Sequence, residues 1–158
     1  MRHIIAILLQ NEAGALNRVA GLFSTRGYNI ESLNVAATDD PAVSRITLVT
    51  KGSDAVILQI ASQLLKLVDV VSVEDLTRGE HVERELLLLK IHPEDAQREA
   101  LKGAVARAGG KILSVSGGTH IVELASSEAQ INAFVADAAA CGKIVEVVRS
   151  GVLAAARR

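Results

Sequence analysis

The 158 residues carry 17 basic against 18 acidic side chains, and this near-neutral balance, with neither half basic, excludes a general electrostatic grip on nucleic acid. Apolar residues make up 49%, but Phe23, Tyr28 and Phe134 are the only aromatic ones, so the core must be aliphatic and no base-stacking surface is available. The single cysteine, Cys141, leaves no internal disulfide and fits a reduced, cytoplasmic setting, while no apolar run reaches membrane-spanning length.

The chain opens "MRHIIAILLQ", with one Arg, a short apolar run and no small-residue cleavage site after it. It reads as a first strand, not as a signal peptide, and its continuous run Ile4 to Leu9 suits the middle of a sheet. A helix follows, in which Leu16, Val19, Ala20 and Phe23 share one face. Gly27 falls where a helix stops in a left-handed turn. Residues 29–38 read as strand two, and Asp39-Asp40-Pro41 as a turn. Strand three alternates Ile46 and Leu48 against Arg45 and Thr47, as a half-buried strand does. Gly52-Ser53-Asp54 opens a second helix with Ile57, Ile60, Leu64 and Leu67 at helical spacing. Val71 and Val73 mark strand four, which completes a βαββαβ order.

The second half repeats that order without repeating the sequence. Leu86 to Ile91 is a strand, and Glu94 to Ala108 a helix ended by Gly109-Gly110. Ile112 to Val115 and Ile121 to Leu124 are strands around the Gly117-Gly118 turn. Ser127 to Ala140 is a helix with Gly142 as its stop, and Ile144 to Val148 is the last strand. The expected fold is α+β, two tandem ferredoxin-like βαββαβ domains. Residues 1–77 form the first, the charged stretch 78–85 the linker, 86–151 the second domain, and 152–158 a frayed tail.

Most chemistry-bearing residues read as structural. His3, His81, His92 and His120 have no ligand spacing on one helix and no cysteine partner, so no metal site is expected. Cys141 could titrate near a helix end, but beside Ala138–Ala140 it reads as core. Asp39-Asp40 and Glu83/Glu85 sit in turns or linker and read as solvated charge, not as an acid–base couple. "GGKILSVSGG" lacks the strand–GxGxxG–helix order of a nucleotide fingerprint. No nucleophile–base set appears. One stretch stays open: Asn11, Glu12, Ala13 and Gly14 precede the first helix. They fit plain capping. By spacing alone capping is the stronger reading; the alternative is an anion site, where free helix-start N–H groups meet a ligand that Gly14 lets approach.

The segment "LLQNEAGALNRVAGLFSTRGYNIESLNVAATDDPAVSRITLVT" closely resembles the small, regulatory subunit of acetolactate synthase (acetohydroxyacid synthase). "KLVDVVSVEDLT", "HVERELLLLKI" and "KIVEVVRSG" extend the resemblance along nearly the whole chain. The resemblance implies that the first half is an ACT domain, a module that binds amino acids. It implies a non-catalytic chain that activates a large catalytic subunit and confers feedback inhibition by valine in branched-chain amino acid biosynthesis. Thiamine diphosphate, Mg²⁺ and FAD would then sit on the catalytic subunit, with no cofactor here. Carried over residue by residue, the effector positions are Asn11, Gly14 and Asn29, with neighbours Ala15, Leu16 and Ile30. Asn17 departs from the family, where Ser is common.

In the implied fold, strands one and two run parallel through a right-handed crossover. Asn11 then lies past one end of strand one and Asn29 at the opposite end of strand two, roughly 26 Å away for a strand of about eight residues. Strand two is the edge of a 4-1-3-2 sheet. Antiparallel pairing of two copies through that edge would bring Asn29 of one chain to Asn11 and Gly14 of the other, giving a homodimer with two equivalent sites. The rival expectation, an ACT-type transcriptional regulator, needs a DNA-reading helix or basic face, and the sequence offers neither. A stand-alone enzyme lacks a site.

Overall fold

The computed structural model describes residues 1–157. The chain divides into two compact units, Met1–Val82 together with the segment from Val152, and Glu83–Gly151.

In the first unit the order is β1 (Arg2–Gln10), α1 (Ala15–Thr25), β2 (Ile30–Ala37), β3 (Val43–Lys51), α2 (Asp54–Leu64) and β4 (Val70–Asp75). The sheet order is β2-β3-β1-β4, with all neighbours antiparallel, so β1 and β2 run parallel and β2 is an edge. Ser53 caps α2 by accepting from the Val56 amide. Gly27, at φ 70°, follows the end of α1 as the sequence suggests. One sheet face packs on both helices through Ile5, Ile7, Leu9, Ile46, Leu48, Phe23, Ile57, Ile60 and Leu64. Each such fully buried side chain contributes roughly 1.5–3 kcal/mol.

Two expectations change here. The buried face of α1 is Ala15, Val19 and Phe23, whereas Leu16 is 40% exposed beside the helix entrance. Apolar periodicity alone favours the larger side chain, but it is Ala15 that joins Val19 and Phe23 in the core. Second, β3 is covered on both faces: Thr47 and Val49, which face away from Ile46 and Leu48, are 2% and 3% exposed. The cause is the stretch read as a tail. Residues Leu153–Ala156 form a strand, β9. Val152 and Ala154 join Ile4, Ala6, Val49 and Leu76 in a second apolar cluster. The Val152 and Ala154 carbonyls accept from Asn34 Nδ2 and Arg45 Nη2, both at 3.0 Å. A leucine followed by three alanines carries no periodic signal, so only the donors that await the Val152 and Ala154 carbonyls reveal the strand. Arg158 lies outside the described residues.

The second unit contains β5 (His81–Pro93, whose first two residues belong to the first unit), α3 (Arg98–Ala108), β6 (Lys111–Ser116), β7 (Thr119–Ser126), α4 (Glu128–Ala139) and β8 (Gly142–Arg149). Its sheet runs β6-β7-β5-β8, and Leu87, Leu89, Ile91, Val122, Leu124 and Phe134 fill the core between sheet and helices. Both halves are thus βαββαβ sandwiches, as expected.

The linker reading is corrected in part, because β5 begins at His81 inside the charged stretch. Glu85, read as solvated, is 5% exposed and clamped by Arg149 through two bonds of 3.0 and 2.6 Å. The charged stretch looks solvated only when its partner, 64 residues away, is ignored. Gly142 is not a helix stop. The α4 cap is Ala140 in right-handed geometry, and Gly142 starts β8 opposite Pro93. A Cβ there would lie 2.4 Å from the His92 carbonyl oxygen, so the glycine permits strand approach.

Candidate functional site

The loop between β1 and α1 is built by backbone bonds. The Asn11 amide donates to the Ala42 carbonyl, and the Gln10 amide to the Asp69 carbonyl, both at 2.8 Å. Asn11 Nδ2 donates to the Pro41 carbonyl at 2.9 Å, which leaves its Oδ1 as the acceptor for an outside group. Gly14 caps the helix in the left-handed region, φ 87°, with no side-chain cap bond. Asn11 therefore does not cap α1; its side chain serves the β2–β3 turn.

The helix start is partly satisfied. The Ala15 amide donates to the Glu12 carbonyl at 3.2 Å and is not free for an anion. The amides of Leu16 and Asn17 have no acceptor among the described residues and sit at the positive end of α1. Leu16 and Asn17 are exposed there, and Ala15 is buried beneath them.

Asn29 and Ile30 stand at the other end of the sheet. In β3, Val43 pairs with Gln10 and Thr50 with Ile30, so seven strand steps of about 3.4 Å, roughly 24 Å, separate the two groups. Asn29 is exposed, and its carbonyl accepts from Thr50 Oγ1 at 2.6 Å. The register shifts between Ile30 and Ser32, a bulge that turns the strand start. One chain therefore collects Asn11, Gly14, Ala15 and Leu16 at one end, and Asn29 and Ile30 at the other. The outer edge of β2 pairs with no strand among the described residues.

Two residues at the first end are missing from the sequence reading. Arg18, one turn into α1, pairs through Nε with Oδ2 of Asp69. Asp69 is 5% exposed, in the turn before β4. The pair joins positions 51 apart, and an i, i+4 survey of α1 offers Arg18 no acid, so nothing local signals it. The Arg18 guanidinium holds the Asp69 carboxyl below its ordinary range, and the same bond raises Arg18. A depressed carboxylate stabilises the fold above its unfolded pKa, near 4, and the gain is lost as pH falls through the lower folded value. Asp69→Asn is therefore expected to lower the thermal midpoint at neutral pH and to flatten its fall below about pH 4. Midpoints measured across pH for both proteins check this; parallel profiles would show that the pair contributes nothing.

His3 is fully buried, 3.6 Å from both Asp54 and Asp75, and His120 is buried over the Gly118 carbonyl. Cys141 packs in the second core. Among the described residues no three His, Cys, Asp or Glu side chains gather as a metal site, and no helix is long and apolar enough to cross a membrane.

Comparison with known proteins agrees with this architecture. Residues 5–72 match the family described as AHAS small subunit-like ACT domain, and residues 84–158 the family described as small subunit of acetolactate synthase. The chain is 49% identical over 157 residues to the acetolactate synthase isozyme 3 small subunit of Escherichia coli (strain K12), covering 99% of this chain and 96% of that one. Identity to the probable acetolactate synthase small subunit of Archaeoglobus fulgidus is 38%, covering 99% and 98%. The crystal structure of the acetolactate synthase small subunit from Thermotoga maritima superposes with a TM-score of 0.89 at 33% identity, covering 100% of this chain and 98% of that one.

Proposed function

The chain belongs to the acetolactate synthase small-subunit family, and from that premise we propose that its first domain, residues 1–77, senses valine through a site shared by two copies. The chain is the regulatory subunit of the enzyme, and catalysis resides on the large subunit, its partner. The second domain, residues 86–151, carries no assigned ligand. Thiamine diphosphate, Mg²⁺ and FAD belong to the large subunit in this reading, and the setting is cytoplasmic.

The observation that carries the reading is the placement of the two asparagines at opposite ends of a sheet whose β2 edge is unpaired. Antiparallel pairing of β2 across a two-fold axis puts the partner subunit's Asn29 and Ile30 beside Asn11, Gly14, Ala15 and Leu16. The free amides of Leu16 and Asn17 take the ligand carboxylate, and the Asn11 and Asn29 side-chain carbonyls take its ammonium. Leu16 and Ile30 border the aliphatic side chain. A methylene more or less changes affinity by only about 1–3 kcal/mol, so leucine and isoleucine should act weakly. A ligand that bridges two chains favours one packing of them, which is the differential interaction that inhibition requires.

The test is direct. The pure chain, supplied with pyruvate, thiamine diphosphate, Mg²⁺ and FAD, is expected to make no acetolactate. Added to the large subunit it should raise turnover, and valine should then lower it. Turnover by the pure chain would overturn the non-catalytic assignment, and valine-insensitive holoenzyme the effector assignment. A retarded DNA band would favour a transcriptional regulator instead.

A further inference from the structure

Only Nε of Arg18 is engaged, by Asp69; neither Nη nitrogen has a partner among the described residues. Both Nη atoms lie against the α1 entrance. A Cβ built on Gly14 would be 3.2 Å from Nη1, 3.8 Å from Cζ and 3.9 Å from Nη2. The Arg18 side chain is 46% exposed, whereas that of Asp69 is 6% exposed. Asp69 is itself fixed to the end of β1, through its carbonyl and the Gln10 amide at 2.8 Å. The planar fork is thus held from behind by an anchored carboxylate, with its Nη atoms beside Gly14, at the helix start that also carries the unpaired amides of Leu16 and Asn17. Glu12 is the other charge acting on it.

We infer that Arg18 is a further effector-binding residue, whose two Nη nitrogens receive the carboxylate of the bound amino acid, and that Asp69 is the positioning residue that aims them. This rests on the effector reading given above and extends it. It adds to two features. A Cβ at Gly14, where φ 87° already favours glycine, would press on the fork at 3.2 Å, and the anion site gains guanidinium donors beside the helix dipole. The site should therefore select for the carboxylate itself.

Calorimetry of the full chain with valine and with valinamide, which keeps the ammonium and side chain but lacks the carboxylate, tests it. Arg18→Gln should weaken valine binding roughly 10- to 100-fold, the span for hydrogen bonds to a charged group, and leave valinamide binding as in the wild type. Asp69→Asn should weaken valine several-fold, again without touching valinamide. The Arg18→Gln/Asp69→Asn double variant leaves no buried unpaired carboxylate, and it should bind valine as weakly as Arg18→Gln alone. Equal losses for both ligands would make the pair a structural brace and overturn the inference, as would wild-type valine affinity in Arg18→Gln or in the double variant. Wild-type chain that binds neither ligand would overturn the effector reading itself, and with it this extension.

Discussion

Gly14→Asp is expected to abolish valine inhibition while activation of the large subunit persists. The new carboxylate would occupy the α1 entrance and take the Arg18 fork, 3.2 Å from its Cβ, so the ligand carboxylate meets like charge where it needs counter-charge. Tethered to one chain, it fills half of the site without bridging to the other, so it does not imitate the effector. The fold should survive. A left-handed residue other than glycine costs about 1–2 kcal/mol, less for aspartate, and a carboxylate at a helix start recovers part of that. Holoenzyme turnover with rising valine, beside calorimetry of the isolated chain, measures both halves. Wild-type valine affinity in the variant would remove Gly14 from the site. Lost activation would mean that the position serves the fold or the large-subunit contact.

Much of this architecture is legible in the sequence because it rests on local patterns. The run Ile4 to Leu9 and the spacing of Val19 and Phe23 report directly on sheet and helix faces. What escapes depends on partners far away along the chain. Residues 153–156 become a strand because they cover the second face of the first sheet, where Asn34 and Arg45 supply donors. Glu85 becomes a buried ion through Arg149, and Gly142 a strand glycine through Pro93. At the candidate site the loop composition points to Asn11 and Gly14. It gives no sign of Arg18, whose significance comes entirely from Asp69, or of the Ala15 amide's commitment to Glu12. Leu16 shows the same limit in reverse: its apolar character fits a core position, yet it stands 40% exposed at the helix entrance.

Asn29→Ala is expected to abolish inhibition as completely as Gly14→Asp, although the two positions lie at opposite ends of one sheet, roughly 24 Å apart by strand rise. In a single chain no valine reaches both. Across a β2–β2 dimer each site takes Gly14 from one chain and Asn29 from the other. Either variant alone then has two broken sites. A mixed dimer has one site with both lesions and one with neither.

Co-refolding the two inactive variants in equal amounts is the most direct measurement of this arrangement. Random exchange makes about half of the dimers mixed, so about one quarter of all sites are intact by two-fold symmetry. Chain exchange is verified by mass, and valine binding is then titrated by calorimetry. The shared site predicts saturable binding at wild-type affinity with about one quarter of the wild-type stoichiometry. Verified exchange without recovered binding at any mixing ratio would contradict it, and would return Asn11 and Asn29 to the turns they already brace.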